Sequence, residues 1–306
     1  MNWYDSPRDR RRRRLRRLGI GVGIVVVFYV AAVWLTEPLA LHPFFAAGEG
    51  VRTIAHRGGR QLGPENTIVA FELARAAGTE VLEMDVRGTA DGVLVLMHDR
   101  TVERTTDGAG RVNGLDIDQV LALDAGYRWS VDGGASYPYR DRGVKVPRFE
   151  EVLRTFAGVP MVIEIKQQEP PIAEALCVAL RAFGQEKQAL VASGHGEALD
   201  RFRAACPEVA TGAGPGEVVL FYLLNKLWLD GAYRPDAQAL LVPSKMGFLQ
   251  VVSEGFVDGA QEQGMAVIPW TINEEAAMER LAGMGVWGII TDRPDRLNGL
   301  LGKGGS

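Results

Sequence analysis

From residue 51 onward the chain alternates short apolar runs with longer segments of helical periodicity. The apolar runs predict strands at Thr53–His56, Val81–Val86, Val93–His98, Pro160–Lys166, Ala189–Ala192, Ala210–Ala213, Ala239–Val242, Ala266–Ile272 and Trp287–Thr291. The periodic segments predict helices at Thr67–Ala77, Phe149–Phe156, Ile172–Phe183, Glu197–Ala205, Glu217–Leu229, Ser253–Gln263 and Glu274–Met284. In Ile172–Phe183, for example, Ile172, Ala175, Leu176, Ala179, Leu180 and Phe183 recur at the spacing of one helix face. Short strands that are apolar on both faces, set between amphipathic helices, indicate a parallel sheet covered by helices. Roughly eight such repeats in a domain of about 260 residues point to the α/β class and to a TIM (β/α)8 barrel. Nine strand candidates are one too many, and Arg87–Gly92 is too short for a crossover helix. The barrel is therefore expected to be irregular around strands two and three, with the eight strands that close it left open. Asp107–Pro147 has no clear period, many glycines and the aromatics Tyr127, Trp129, Tyr137 and Tyr139. A long ordered insert after His98-Asp99 is expected to hang over the catalytic face.

The first residues follow a different pattern. Residues 1–17 carry eight arginines against Asp5 and Asp9, a net +6, and Leu18–Thr36 then run without a charge. As a helix this run would span roughly 28 Å, close to the hydrocarbon thickness of a bilayer. The expected organisation is a basic cytoplasmic segment (1–17), a single transmembrane helix (18–36), a linker (37–50), a barrel (51–300) with its insert (107–147), and a tail (301–306). The arginines place the N-terminus in the cytoplasm and the barrel outside it. A cleaved secretory signal is the competing reading, with Ala40 and Ala46-Ala47 as candidate cleavage positions. Glu217–Leu229 is too short to span, and reads either as a barrel helix with a broad buried face or as a helix dipping into a leaflet.

Composition narrows the class. With 47% hydrophobic and 24% charged residues the chain can build a core. Two cysteines exclude a disulfide scaffold and a four-cysteine zinc site. Cys177 and Cys206, predicted near the ends of successive outer helices, are open to pairing or to separate burial. Beyond residue 17 the chain carries a net −10, which would repel nucleic acid.

In a barrel, functional groups collect at the C-terminal ends of the strands. Those ends offer His56-Arg57, Glu83-x-Asp85, His98-Asp99, Glu164-x-Lys166, Trp270-Thr271 and Thr291-Asp292. Residues two apart on a strand share a face, so Glu83 and Asp85 project together, as do Glu164 and Lys166. Three carboxylates in otherwise apolar strands are costly to bury and repel one another. A divalent cation removes both penalties, and an all-oxygen set suits Mg2+ or Ca2+. His56 and His98 are candidates for general acid and base. Arg57 and Lys166 make a local positive site suited to a phosphate. His42 and His195 are expected in solvated loops.

The ordered set Ile54-Ala55-His56-Arg57-Gly58, Pro64-Glu65-Asn66-Thr67, Glu83-x-Asp85-Val86, Thr89-x-Asp91-Gly92, His98-Asp99, Glu164-Ile165-Lys166, Trp270-Thr271-Ile272-Asn273 and Gly288 to Pro294 resembles the glycerophosphodiester phosphodiesterase family. The resemblance covers roughly residues 51–297. It implies a TIM-barrel hydrolase that uses a divalent metal to cut glycerophosphodiesters into glycerol 3-phosphate and an alcohol. By that resemblance His56 and His98 are the acid and base, and Glu83, Asp85 and Glu164 the metal ligands. Arg57 and Lys166 contact the phosphate, Asn66 helps to hold the active-site loop and belongs with the substrate-binding set, and Trp270 lines the substrate cleft.

Two features depart from the family pattern. Pro147-Arg148-Phe149 stands where most members have Pro-Thr-Leu, and the 107–147 insert is longer and more aromatic than in compact members. The insert looks more like that of the branch that accepts lysophospholipids. The implied partners are a glycerophosphodiester or lysophospholipid substrate and, through the N-terminal helix, membrane lipid. The competing class is an inactive membrane-bound barrel that binds phospholipid headgroups.

Overall fold

The computed structural model describes residues 7–34, 37–46 and 50–303. Its strands are β1 (Arg52–Ala55), β2 (Val81–Gly88), β3 (Leu94–Leu96), β4 (Met161–Ile165), β5 (Ala189–Ala192), β6 (Ala210–Thr211), β7 (Ala239–Pro243), β8 (Lys245–Met246), β9 (Leu249–Gln250), β10 (Ala266–Trp270) and β11 (Gly288–Thr291). Its helices are α1 (Pro7–Trp34), α2 (Ile68–Ala76), α3 (Ile117–Ala122), α4 (Phe149–Thr155), α5 (Ala173–Ala182), α6 (Gly196–Ala205), α7 (Pro215–Lys226), α8 (Glu254–Glu262), α9 (Glu275–Gly283) and α10 (Pro294–Leu300).

Strands β11, β1, β2, β4, β5 and β6 lie side by side in that order, all parallel. A bridge between Gly212 and Ala239 carries the order on to β7, which pairs in parallel with β10. Backbone bonds from Trp287 N to Val267 O (3.0 Å) and from Ile272 N to Ile290 O (2.9 Å) return it to β11. The result is a TIM-barrel-like ring, as the apolar runs predict. The ninth candidate strand is β3, which lies outside the ring and pairs antiparallel with β2. A tight turn at Thr89–Val93 permits this: Thr89 Oγ1 bonds Asp91 and Val93, and Gly92 takes a φ of 81°. The irregularity expected near strands two and three is therefore a β-hairpin.

Two apolar layers fill the space between sheet and helices, around Phe71, Phe149 and Phe202 on one side and Phe221 and Phe256 on the other. A third cluster fills the inside of the ring, with Ile54, Val81, Val162, Leu190, Ile268 and Ile290. Phe44 belongs to this inner cluster, is only 4% exposed and stacks 5.3 Å from Trp287. Residues 37–46 of the expected linker are thus held against the barrel, while 47–49 lie outside the described residues. His42 caps the short Pro43–Phe45 turn and its Nε2 bonds Glu208 O at 3.0 Å, and Leu39 N donates to Gln263 O. An apolar ring interior needs a cover at its lower end, and Phe44 provides it.

The insert also differs from the expectation. Val102, Val112, Ile117, Val120, Val144 and Val146 give it a small core of its own with Val95 and Met97. Its aromatics pack on each other: Trp129 on Tyr139, and Arg140 over the rings of Tyr127 and Tyr137. No residue of 107–147 lines the main cavity, so the insert stands beside the catalytic face rather than over it.

Helix α1 is continuous through the arginine run and the uncharged run. Among the described residues no helix is long and apolar enough to cross a membrane. Leu35 and Thr36, the last two residues of the expected span, lie outside the described residues, as do the first six residues of the basic segment and the end of the tail. The helix contacts the barrel through Tyr29, whose hydroxyl donates to Trp228 O at 3.0 Å. Helix α7 buries Phe221 and leaves Val219, Leu220 and Leu223 exposed. Cys177 and Cys206 form a disulfide between α5 and α6.

Candidate active site

The upper end of the ring opens into a cavity of about 500 Å³ lined on one side by His56, Arg57, Glu83, His98, Glu164 and Lys166. Strand β2 supplies Glu83 and Asp85, and β4 places Glu164 directly beside Asp85 in register. One carboxylate oxygen from each of Glu83, Asp85 and Glu164 lies within 4.8 Å of the others. Glu83 and Asp85 are almost fully buried. Burial first, and the negative charges of Asp85 and Glu164 second, push the Glu83 carboxyl well above its usual pKa. Lys166 answers part of this charge, 2.7 Å from Glu164 and 3.4 Å from Asp85. The donor set consists of oxygens only, and the charge left on it fits a hard divalent cation.

The loop after β1 turns sharply. Arg57, Gly58 and Gly59 all have left-handed φ values, of 51°, 83° and 78°. A Cβ on Gly58 would meet Phe71 at 2.8 Å and Ala70 at 2.9 Å, so helix α2 requires glycine there. The turn aims Arg57 N at Glu83 Oε2, 2.6 Å away. The Arg57 guanidinium reaches Glu65 at 2.9 Å and Asp85 at 3.2 Å. Asn66, expected to hold the loop and to bind substrate, is buried and does not line the cavity. Its amide donates to Asp85 Oδ2 at 2.8 Å and its carbonyl accepts from Asp85 N at 3.1 Å. With φ at 57°, Asn66 stands behind the carboxylate cluster and fixes one of its members.

The β2–β3 hairpin explains how His98 reaches the site. Met97 N donates to Asp85 O at 3.0 Å, and the Arg87 side chain holds His98 O at 2.7 and 3.1 Å. The chain folds back and sets His98 beside Asp85. Its Nδ1 lies 2.7 Å from Asp99 Oδ1. Asp99 is in turn paired with Arg104, which also makes two bonds to Glu65 at 2.7 and 2.8 Å. Burial favours protonation of Asp99 and Glu65, but the bonds to Arg104 outweigh it and hold each at a pKa of about 2. Burial holds the His98 imidazole below its usual pKa.

On the other side, His56 Nδ1 lies 2.6 Å from Asp292 Oδ1. Asn273 and Arg60 hold the same carboxylate at 2.8 and 3.1 Å. An ionised carboxylate only accepts, so each Nδ1 carries a proton and each Nε2 is left to face substrate. Asp292, Asn273, Glu65 and Arg104 had no assigned roles from residue type alone. Asp292, Asn273 and Glu65 do stand within the quoted motifs, whereas nothing in the sequence marks Arg104. The remaining wall is apolar, with Val162, Val218, Leu241 and the half-exposed Trp270.

Residues 56–296 match the glycerophosphoryl diester phosphodiesterase family. A glycerophosphodiester phosphodiesterase of Caldanaerobacter subterraneus is 31% identical over 82% of this chain and 98% of its own. A mouse lysophospholipase D is 26% identical over 88% of each chain. The crystal structure of an Oleispira antarctica phosphodiesterase in complex with the product sn-glycerol 3-phosphate superposes with a TM-score of 0.65, at 25% identity, covering 82% of this chain and 96% of that one. The chain belongs to the glycerophosphoryl diester phosphodiesterase family and is a phosphoric diester hydrolase.

Proposed function

We propose that the cavity cleaves glycerophosphodiesters to glycerol 3-phosphate and an alcohol by paired histidine acid–base catalysis beside a divalent cation. One observation carries this: two carboxylate-backed imidazoles share a cavity with three converging carboxylates and two cations, Arg57 and Lys166. Glu83, Asp85 and Glu164 would hold Mg2+ or Ca2+, which when bound supplies positive charge to the phosphoryl oxygens. Arg57 and Lys166 orient the phosphate and draw its negative charge inward. His98, kept neutral by burial, accepts the proton of the nucleophile, either water or the neighbouring glycerol hydroxyl. As the bond from phosphorus to the leaving oxygen breaks, His56 supplies a proton to that oxygen. Asp292 stabilises the imidazolium that His56 presents beforehand.

The substrate is a deacylated diester or a lysophospholipid. The apolar wall of Val162, Val218, Leu241 and Trp270 supports entry of an acyl chain on that side, as does the likeness to the mouse lysophospholipase D. The inactive-receptor alternative lacks support, because both imidazoles and all three acids are present.

The proposed location is a membrane surface, with the barrel outside the cytoplasm and the arginine run inside. The uncharged run after the arginines supports anchoring. The disulfide suits an oxidising compartment, and the exposed apolar residues of α7 suit lipid contact. Product identification tests the chemistry. Glycerophosphocholine and lysophosphatidylcholine are offered side by side, with and without chelator. Choline and a phosphomonoester should form only when divalent cation is present. Absence of both products, or their formation in chelator, contradicts the reading.

A further inference from the structure

A second hollow, of about 210 Å³, lies beside the active site, and its charged lining is Arg87, Arg100, Arg111 and Lys166 with one carboxylate, Glu169. It joins the main cavity through an opening of about 350 Å³ that shares His98, Glu164 and Lys166 with it. The charge inside is unbalanced. Lys166 is paired with Glu164, the lining Glu169 is paired with Arg201 at 3.3 Å, and Asp99 at the adjoining opening is paired with Arg104, so the three arginines outnumber the carboxylates left to them. Arg87 directs Nε and Nη2 at a neutral carbonyl, that of His98. Arg100 and Arg111 have no carboxylate partner within salt-bridge distance among the described residues.

Arg87 is almost fully buried. Three guanidiniums facing one hollow, the buried Arg87 and the exposed Arg100 and Arg111, make a local positive field that draws an anion. Guanidinium groups bind phosphate with paired, charge-assisted bonds.

We propose that this hollow is a second anion subsite, which holds a phosphate borne by the alcohol portion of the diester while the scissile phosphate sits at the carboxylate cluster. The inference rests on the phosphodiesterase reading and adds a substrate class to it: diesters whose leaving alcohol carries a further phosphate group. The two ends of the site then differ in kind. One wall is apolar toward Trp270, and the other is cationic toward Arg111.

The test compares 1,3-bis(glycerophospho)glycerol, which carries the second phosphate, with glycerophosphocholine, whose leaving alcohol is a cation. The full chain, supplied with divalent cation, is assayed beside the double variant Arg100→Ala/Arg111→Ala. Both side chains are exposed, so the fold should persist. The variant should raise KM for the bisphosphate about tenfold or more, with kcat and all glycerophosphocholine parameters unchanged. Arg100→Lys/Arg111→Lys should restore part of the loss. Equal effects on both substrates, or none on either, overturn the subsite. An inhibition of glycerophosphocholine turnover by inorganic phosphate that vanishes in the variant would assign the hollow to free anion, and overturns the substrate assignment. If the unmodified chain cleaves neither substrate, the phosphodiesterase reading fails and the subsite falls with it.

Discussion

His56 and Asp292 are joined by a 2.6 Å hydrogen bond across 236 residues of sequence, between the ends of the first and last strands of the ring. β1 and β11 are neighbours only because the sheet closes on itself, so the bond depends on the fold as a whole. Asp292 is itself held by Asn273 and Arg60. It keeps a proton on Nδ1 and so leaves Nε2 as the nitrogen that meets the substrate.

Asp292→Asn keeps the shape but removes the negative charge that supports the His56 imidazolium, and with it the proton that the leaving oxygen takes from Nε2. Turnover should fall by about 10²–10⁴, as it should for His56→Ala and His98→Ala. Far-UV circular dichroism should stay unchanged. Near-normal turnover in any of the three variants would remove that side chain from the mechanism.

Asn66→Ala removes both bonds to Asp85 and places an ordinary residue at a φ of 57°. Divalent-cation affinity should drop roughly 10–100-fold, the usual cost of losing a group that orients a ligand. Titration calorimetry reads this directly. The variant should be rescued by raised cation concentration, which a damaged phosphate contact would not be.

Arg104 binds Glu65 and Asp99 together, and so ties the Arg57 loop to the His98 loop. Both carboxyls have folded pKa values of about 2, against usual values of 4.5 and 3.8. Depressed carboxyl pKa values stabilise the fold above the usual values, and that contribution is lost as pH falls toward about 2. Arg104→Ala should therefore destabilise most at neutral pH, by roughly 1–2 kcal/mol given its partial exposure, and progressively less in acid. Denaturant titrations at pH 7 and pH 3 check this. A difference that grows in acid contradicts the assignment.

Phe44 closes the lower end of the ring, so Phe44→Ala should cost about 3–5 kcal/mol. Chains shortened to begin after Phe44 should be destabilised, whereas those that begin at Glu37 should not. Breaking the Cys177–Cys206 disulfide by Cys177→Ala/Cys206→Ala should cost roughly 3–4 kcal/mol for a closed loop of this length. Thermal melts separate the two effects, since only the second is reproduced by a reductant.

The barrel was legible because its strands are short apolar runs with polar punctuation, and every predicted strand from Thr53 to Thr291 falls on an observed one within a few residues. The carboxylate cluster was legible for the same reason: Glu83, Asp85 and Glu164 interrupt runs that otherwise hold only apolar side chains. Contacts set by closure were not. Phe44 reads as one more apolar residue in a linker until the ring interior exists to receive it. Arg104 is one arginine among many, and its partner Glu65 lies 39 residues away. Helix α3 carries a local signal that periodicity passed over, the Asp116–Gln119 capping box. The Thr89–Gly92 turn likewise contained the hairpin that delivers His98.

The central claim is that the three acids hold a cation on which turnover depends. Calorimetric titration of Ca2+ or Mg2+ into the metal-stripped full chain, followed by glycerophosphocholine turnover at each occupancy, tests it most directly. The expected result is one ion per chain, turnover that rises in proportion to occupancy, and loss of both in Glu83→Gln/Glu164→Gln. Full turnover by the stripped chain, or cation binding that survives in that variant, would contradict it.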